Sequence, residues 1–209
     1  MRTPLPIILP VDMHQVKGFL ADDEAAALYQ AALVASKKAP VMEIGSYCGK
    51  STIYIGSACK ASGGVLYALD HHRGSEEHQL GEEYHDPDLF DGSAGLVDTF
   101  KEFRRNMREA QLEENVIPIV ASSGLASRGW STPLSMVFID GGHSMEAAMT
   151  DYQSWAGHII QGGTLAIHDL FPNPSEGGQA PITIYRLAIA SGLFEEIDVI
   201  NTLGLLRRL

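Results

Sequence analysis

At 209 residues, with 45% hydrophobic and 20% charged content, the chain suits one globular domain with a sizeable core and leaves two domains cramped. No apolar run nears the roughly 20 residues that span a bilayer, and Met1 to Pro10 lacks the charged start and small-residue cleavage site of a secretory signal, which predicts a cytoplasmic protein. A formal charge of −11 and a pI near 5.1 argue against nucleic acid and membrane surfaces as partners and point to a small neutral or cationic molecule.

In chain order, residues 1–40 read as a helical cap in which Asp22 and Asp23 open an alanine-rich helix through about Lys37, with Ala25, Leu28 and Ala32 on one face. Five β-rich runs follow, Val41 to Ile44, Val65 to Asp70, Val116 to Ala121, Met136 to Asp140 and Thr164 to His168, with helical patterns between them. Ile182 to Ala190 reads as a further helix, and Phe194 to Ile200 with Gly204 to Leu209 as a closing strand pair. The alternation predicts an α/β fold: a Rossmann-like, doubly wound, mostly parallel seven-stranded sheet whose last strand is antiparallel. Ligands of such a sheet sit beyond the carboxyl ends of its strands.

The stretch 71–95 breaks this rhythm, with seven acids against the single Arg73 and four of the chain's eight histidines. A long polar segment beside the expected crevice predicts a substrate lid, with His71, His72, Tyr84 and His85 as candidates. After the fifth strand, Phe171, Pro172, Glu176, Gln179 and Tyr185 are placed near the crevice by topology alone. Lys101, Arg104, Arg105 and Arg108 follow helical spacing and predict a solvated helix face. Cys48 and Cys59 are the only cysteines and are expected as reduced, packed thiols. The first helix and the terminal strand pair each offer a surface for a two-fold homodimer.

VMEIGSYCGKS, residues 41–51, is a strand that ends in Glu43, passes through a turn carrying Gly45 and Gly49, and opens a helix. Such a turn lets backbone approach a ligand closely and presents unpaired N–H donors. The spacing is G-x-x-x-G after an acid rather than the G-x-G-x-x-G of a dinucleotide site, and a carboxylate at Glu43 suits a cationic amino group, which favours S-adenosylmethionine over NAD. Asp70 ends the second strand about 20 residues past the turn, where a doubly wound sheet places the acid that accepts the ribose hydroxyls. Asp140 with His143, and His168 with Asp169, converge at the ends of neighbouring strands, a set able to hold a divalent cation or to perform acid–base work.

These residues resemble the class I S-adenosylmethionine-dependent methyltransferases, and specifically the small metal-dependent O-methyltransferases typified by catechol O-methyltransferase. The resemblance runs from about Asp22 to the carboxyl terminus. It implies cofactor contacts at Glu43, Gly45, Ser46, Tyr47, Gly49 and Ser51, with the acid on the methionine amine, Asp70 on the ribose, Ser122 and Ser123 by the adenine, and Asp140 at the reacting end. It further implies metal ligands at Asp140, His168 and Asp169, and a general base at His143, where the family carries lysine. His168 stands where the family has an oxygen donor. Magnesium is the expected ion on family grounds, whereas a nitrogen donor leans the site toward manganese, iron or zinc. The aromatic residue that stacks by the adenine in the catechol enzymes has no counterpart, since Gly141 and Gly142 occupy that stretch. The acidic, histidine-rich lid and the 8% aromatic content suit a saccharide hydroxyl, as in bacterial sugar O-methyltransferases, with a catechol-type phenol as the alternative. Readings from other classes are a non-catalytic S-adenosylmethionine-binding module and a nicotinamide oxidoreductase.

Overall fold

The computed structural model describes residues 7–75 and 86–209. Its elements are α1 (Asp22–Ala35), β1 (Val41–Ile44), α2 (Lys50–Ser62), β2 (Leu66–Asp70), β3 (Phe90–Asp91), β4 (Leu96–Val97), α3 (Phe100–Glu109), β5 (Val116–Val120), α4 (Ser123–Ala126), β6 (Leu134–Ile139), α5 (Met145–Trp155), β7 (Ile159–Ile167), α6 (Ala180–Ala190), β8 (Phe194–Ile200) and β9 (Leu203–Arg208). Seven strands form one sheet in the order β5-β2-β1-β6-β7-β9-β8, while β3 and β4 pair as a short separate hairpin. The ladders from β5 to β7 are parallel and β9 runs antiparallel to both its neighbours, as expected from the sequence.

Burial explains why the central strands read as continuous apolar runs: β1 and β6 are buried at every position because helices cover both faces. On one face Val41, Met136 and Phe138 pack with Leu28 and Ala32 of α1, Ile53 of α2 and Phe103 of α3. On the other, Met42, Ile44, Val137 and Leu165 pack with Trp155 of α5 and Ile184 of α6. The edge strand β5 is largely exposed and carries Pro118, a residue that an edge tolerates because its missing N–H faces no partner strand.

Of the boundaries that differ from the pattern reading, two have a clear local cause. The fifth sheet strand begins at Ile159 rather than Thr164, because pairing with β6 continues from Leu134 to Met136 across a register shift that absorbs Gly162 and Gly163. The first helix stops at Ala35, where the Ser36 hydroxyl bonds back to the Ala32 carbonyl at 2.6 Å and then to Ser62. Lys101, Arg104, Arg105 and Arg108 lie exposed on α3, the solvated face expected. Cys48 and Cys59 are free and buried, and burial pushes both thiols up to about 12. Within the proposed lid, residues 76–85, including Tyr84 and His85, lie outside the described residues. Among the described residues no helix is long and apolar enough to cross a membrane.

Leu28 is fully buried between α1 and the sheet. Leu28→Ala is expected to destabilise the fold by about 2–5 kcal/mol, read as a lower urea midpoint at unchanged m-value.

Candidate active site

The chain runs from β1 outward to β2 and β5, then returns to β6 on the other side of β1. This reversal opens a crevice beyond the strand ends. A cavity of about 750 Å³ occupies it, walled by residues that follow β1, β2, β5, β6 and β7 and by Lys17 to Phe19 of the amino-terminal segment. That volume suits a nucleoside-sized ligand with a small partner.

The glycine turn forms one wall. Gly45 has φ +87°, and a Cβ there would stand 2.0 Å from the Asp140 carbonyl oxygen, so glycine is demanded by the neighbouring strand end as much as by a ligand. Gly49 has φ +93° and starts α2, and a Cβ would meet Met107 at 2.7 Å. Asp70 pins the turn to β2, one carboxylate oxygen accepting from the Tyr47 N–H at 2.8 Å and the other from the His72 N–H at 2.7 Å. Gly45, Ser46, Tyr47, Ser51 and Asp70 line the cavity. The Ser46 hydroxyl is buried without a hydrogen-bond partner among the described residues.

Glu43 is placed differently from its expected cofactor contact. It is fully buried behind the wall, where its two oxygens accept from Ser51 Oγ at 2.6 Å and Thr52 Oγ1 at 2.5 Å. It reaches the cavity only through Ser51. Burial outweighs those two donors, and Asp140 and Asp70 add negative charge, so its carboxyl is raised to about 8.

Opposite, three carboxylates surround one imidazole. His168, 6% exposed, has Nδ1 3.0 Å from Asp140 Oδ1 and Nε2 3.0 Å from Glu24 Oε2, and Asp169 Oδ1 lies 3.7 Å from Nδ1. Glu24, from α1, also accepts from the Thr202 N–H at 2.9 Å and from its hydroxyl at 2.8 Å. Burial would lower His168, but the charge and hydrogen bond of Asp140, with Glu24 and Asp169, raise it to about 11. Burial would likewise raise Glu24, yet His168 and Thr202 hold it near 2. His143 meets Asp169, Nε2 to Oδ2 at 2.9 Å, at the cavity wall. Against the effect of burial, that bond and the His168 charge depress the Asp169 carboxyl.

The donor set can be weighed against a divalent cation. Donor atoms of Asp140, His168 and Asp169 all lie within 4.8 Å of one another. Glu24 holds Nε2, so that a cation displacing the Nδ1 proton shared with Asp140 would meet the arrangement in which an outer carboxylate orients a ligating histidine. Two carboxylates and an imidazole fit a cation that accepts nitrogen, manganese better than magnesium.

At the far end, Ser122 and Ser123 line the cavity, and the Ser123 hydroxyl accepts from Trp155 Nε1 at 2.8 Å. Beside them stands Asp151, 5% exposed, which sequence reasoning passed over. Burial lifts its carboxyl to about 6, against a hydrogen bond from Ser123. The available signal was its spacing: Asp151 falls between Ala148 and Trp155 on the buried stripe of α5. Glu24 was missed for the same reason on α1.

Of the lid candidates, His71 lines the cavity. His72 turns into the core, with Nδ1 2.7 Å from Thr99 Oγ1 and its ring against Phe100 and Phe103. Phe171, Pro172, Glu176, Gln179 and Tyr185 do not line the cavity. Gln179 holds the Phe171 carbonyl at 2.9 Å, and the Tyr185 hydroxyl donates to Glu196 at 2.7 Å.

The strand order, with one reversed strand next to the edge, and a glycine turn bonded to the acid that ends β2 define the Rossmann-like class I methyltransferase fold. Residues 42–170 match the methyltransferase domain family, and the chain belongs to that family. Solved structures share the fold at low identity. The O-methyltransferase TomG from Streptomyces achromogenes, involved in tomaymycin synthesis and solved with S-adenosylmethionine, is 14% identical, with 91% of this chain and 81% of that chain covered at a TM-score of 0.63. An O-methyltransferase from Bacillus cereus, solved with S-adenosylhomocysteine, is 15% identical, covering 91% and 83% at 0.62. The O-methyltransferase NovP is 19% identical, covering 88% and 78% at 0.64.

Glu43 yields a pH prediction. Its folded-state pKa of about 8 lies above the ordinary 4.5, so the folded state binds the extra proton and stability falls as pH rises through that window. Glu43→Gln is expected to abolish this loss, widening its advantage over wild type by up to ~1.4 kcal/mol per pH unit in urea unfolding followed between pH 5 and 8. Parallel profiles for the two proteins would contradict a buried, protonated Glu43.

Proposed function

We propose that the protein is an S-adenosylmethionine-dependent O-methyltransferase that acts on a small-molecule hydroxyl. The reading is carried by one arrangement: the Gly45 to Ser51 turn with Asp70, and the His143–Asp169 pair, face each other across a single cavity. Two of the similar folds, TomG and the Bacillus cereus enzyme, are described as complexes with the cofactor or its product.

In this reading Asp70 accepts the ribose hydroxyls, the base lies toward Ser122 and Ser123, and the methionine half follows Gly45 to Tyr47 to the start of α2. His143 removes the proton of the substrate hydroxyl, and Asp169, bonded to Nε2, orients the ring and stabilises its charged form. The oxygen attacks the sulfonium methyl in line, an O–C bond forms as the C–S bond breaks, and S-adenosylhomocysteine leaves with the sulfur neutral. Holding the two reactants collinear is worth roughly 7–11 kcal/mol. Asp140, His168 through Nδ1, and Asp169 would hold a divalent cation, manganese or magnesium, which when bound lowers the pKa of a coordinated hydroxyl. The substrate proposed first is a saccharide; a catechol-type phenol is the competitor.

His143→Ala is expected to lower kcat by at least ~100-fold while S-adenosylhomocysteine affinity by calorimetry stays near wild type. Wild-type turnover in that variant would remove His143 as base, and cofactor binding without methyl transfer to either substrate class would leave a silent binding module. Chelation of divalent ions is expected to reduce turnover and readdition of manganese to restore it. Chelator-insensitive activity measured with labelled cofactor would take the cation out of the mechanism.

A further inference from the structure

On the face of the sheet that α1 covers, the edge strand β8 lies beyond the helix. Between them runs a groove of about 380 Å³, with Ala31 and Val34 on the helix side, Ile197 and Ile200 on the strand side, and Leu205 of β9 between. Val34 is 60% exposed and Ile197 53%. Single exposed apolar residues are ordinary on a surface, but apolar side chains gathered on both rims of one groove mark a place that something covers. Direct strand addition is disfavoured, because β8 carries Glu195, Glu196 and Asp198 and is bulged between Glu196 and Asp198. Whatever docks here lies across the groove rather than extending the sheet.

The charges at the groove say what covers it. Lys38 and Asp198 are its two charged lining residues, both exposed, and neither forms an ion pair among the described residues. Lys38 Nζ lies 3.3 Å from the Gly162 carbonyl oxygen, near the start of β7. Asp198 stands opposite Leu205 in the β8–β9 ladder, and Leu205 stands opposite Ala166 of β7. Four residues separate Gly162 from Ala166, roughly 13 Å along the strand, so cation and anion sit at opposite ends of the groove. A strongly basic partner would be drawn to the acidic surface of a −11 chain at large, whereas this groove is balanced, with one charge of each sign. A second copy matches it, because a two-fold axis through the groove reverses the direction of the copy and brings each Lys38 to Asp198 of the partner subunit. We propose that this groove is the interface of an isologous homodimer, in which Val34 and Ile197 of each copy are buried between the two. The first helix and the terminal strand pair thus build one surface together. It opens beside the amino-terminal part of β7, away from the cavity at the carboxyl ends of the strands, so both cavities stay accessible in the dimer.

The test is a charge swap read by sedimentation velocity on the full chain across a micromolar to high-micromolar concentration series. Wild type is expected to sediment as a dimer. Lys38→Asp and Asp198→Lys each set like charges against one another twice across the axis, and each is expected to weaken dimerisation by at least ~100-fold. Combining Lys38→Asp with Asp198→Lys restores opposite charges and with them the dimer. Both positions are exposed, and circular dichroism with urea midpoints near wild type separates dissociation from misfolding. A wild type that stays monomeric throughout the series overturns the proposal. So does a dimer that neither reversal weakens, which would put the two-fold on another face, and so does a double variant that dissociates as readily as the single ones.

Discussion

The run Glu24–His168–Asp140 joins parts of the chain that are otherwise remote: α1 near the amino terminus, the end of β6, and the end of β7, with Thr202 of the β8–β9 turn bonded to the same glutamate. None of these charges is stable alone in that place. A buried ion stripped of its partner costs about 3–5 kcal/mol, so the helix, the two strand ends and the turn are held to one arrangement. Glu24 contributes fully above its ordinary 4.5 and loses that contribution as pH falls toward 2, while His168 contributes fully below 6.5 and loses it as pH climbs toward 11. The arrangement is therefore at full strength from about 4.5 to 6.5 and weakens by up to ~1.4 kcal/mol per pH unit above that window. Because Asp140 and Asp169 flank the same imidazole, the positions of these two carboxylates are set by the same network that docks the first helix.

How far the sequence revealed this follows from where each signal lives. Strand ends were legible because a parallel strand buried on both faces is an apolar run that stops at a polar residue, and Asp70, Asp140 and Asp169 all stand at such stops. Gly45 was legible as a turn, but the reason for glycine, the Asp140 carbonyl of the strand alongside, is a contact between residues almost a hundred positions apart. Glu43 shows the limit most clearly. Alternation along β1 gives its face, shared with Val41, but cannot say whether the ligand or α2 waits there, and α2 supplies both hydroxyls. Acids on helices, Glu24 and Asp151, carry the weakest signal, since most helical acids are solvated and only the phase of the buried stripe sets these two apart. The histidines after β2 divide for a similar reason: His71 opens onto the cavity and His72, one residue later with φ +57°, turns into the core.

The cavity wall carries Asp70, Asp140, Asp151 and Asp169, with Glu43 behind it, in a chain of net charge −11. Each acid is accommodated by a different device: two backbone N–H groups for Asp70, the imidazole of His168 for Asp140, the His143 ring for Asp169, a proton retained to about pH 8 for Glu43, and one serine for Asp151. The excess of acceptors is costly in an empty crevice and complementary to a ligand that carries a sulfonium, an ammonium and an aromatic amine. In the proposed reaction the sulfonium becomes a neutral thioether, so the same field that gathers the methyl donor holds the product less tightly. A cation at Asp140 and Asp169 would offset part of that field there and leave Asp70 and Asp151 unscreened. In the proposed reaction one cavity would carry two tasks: cofactor retention by the turn after β1 with Asp70, and activation of the hydroxyl near β6 and β7.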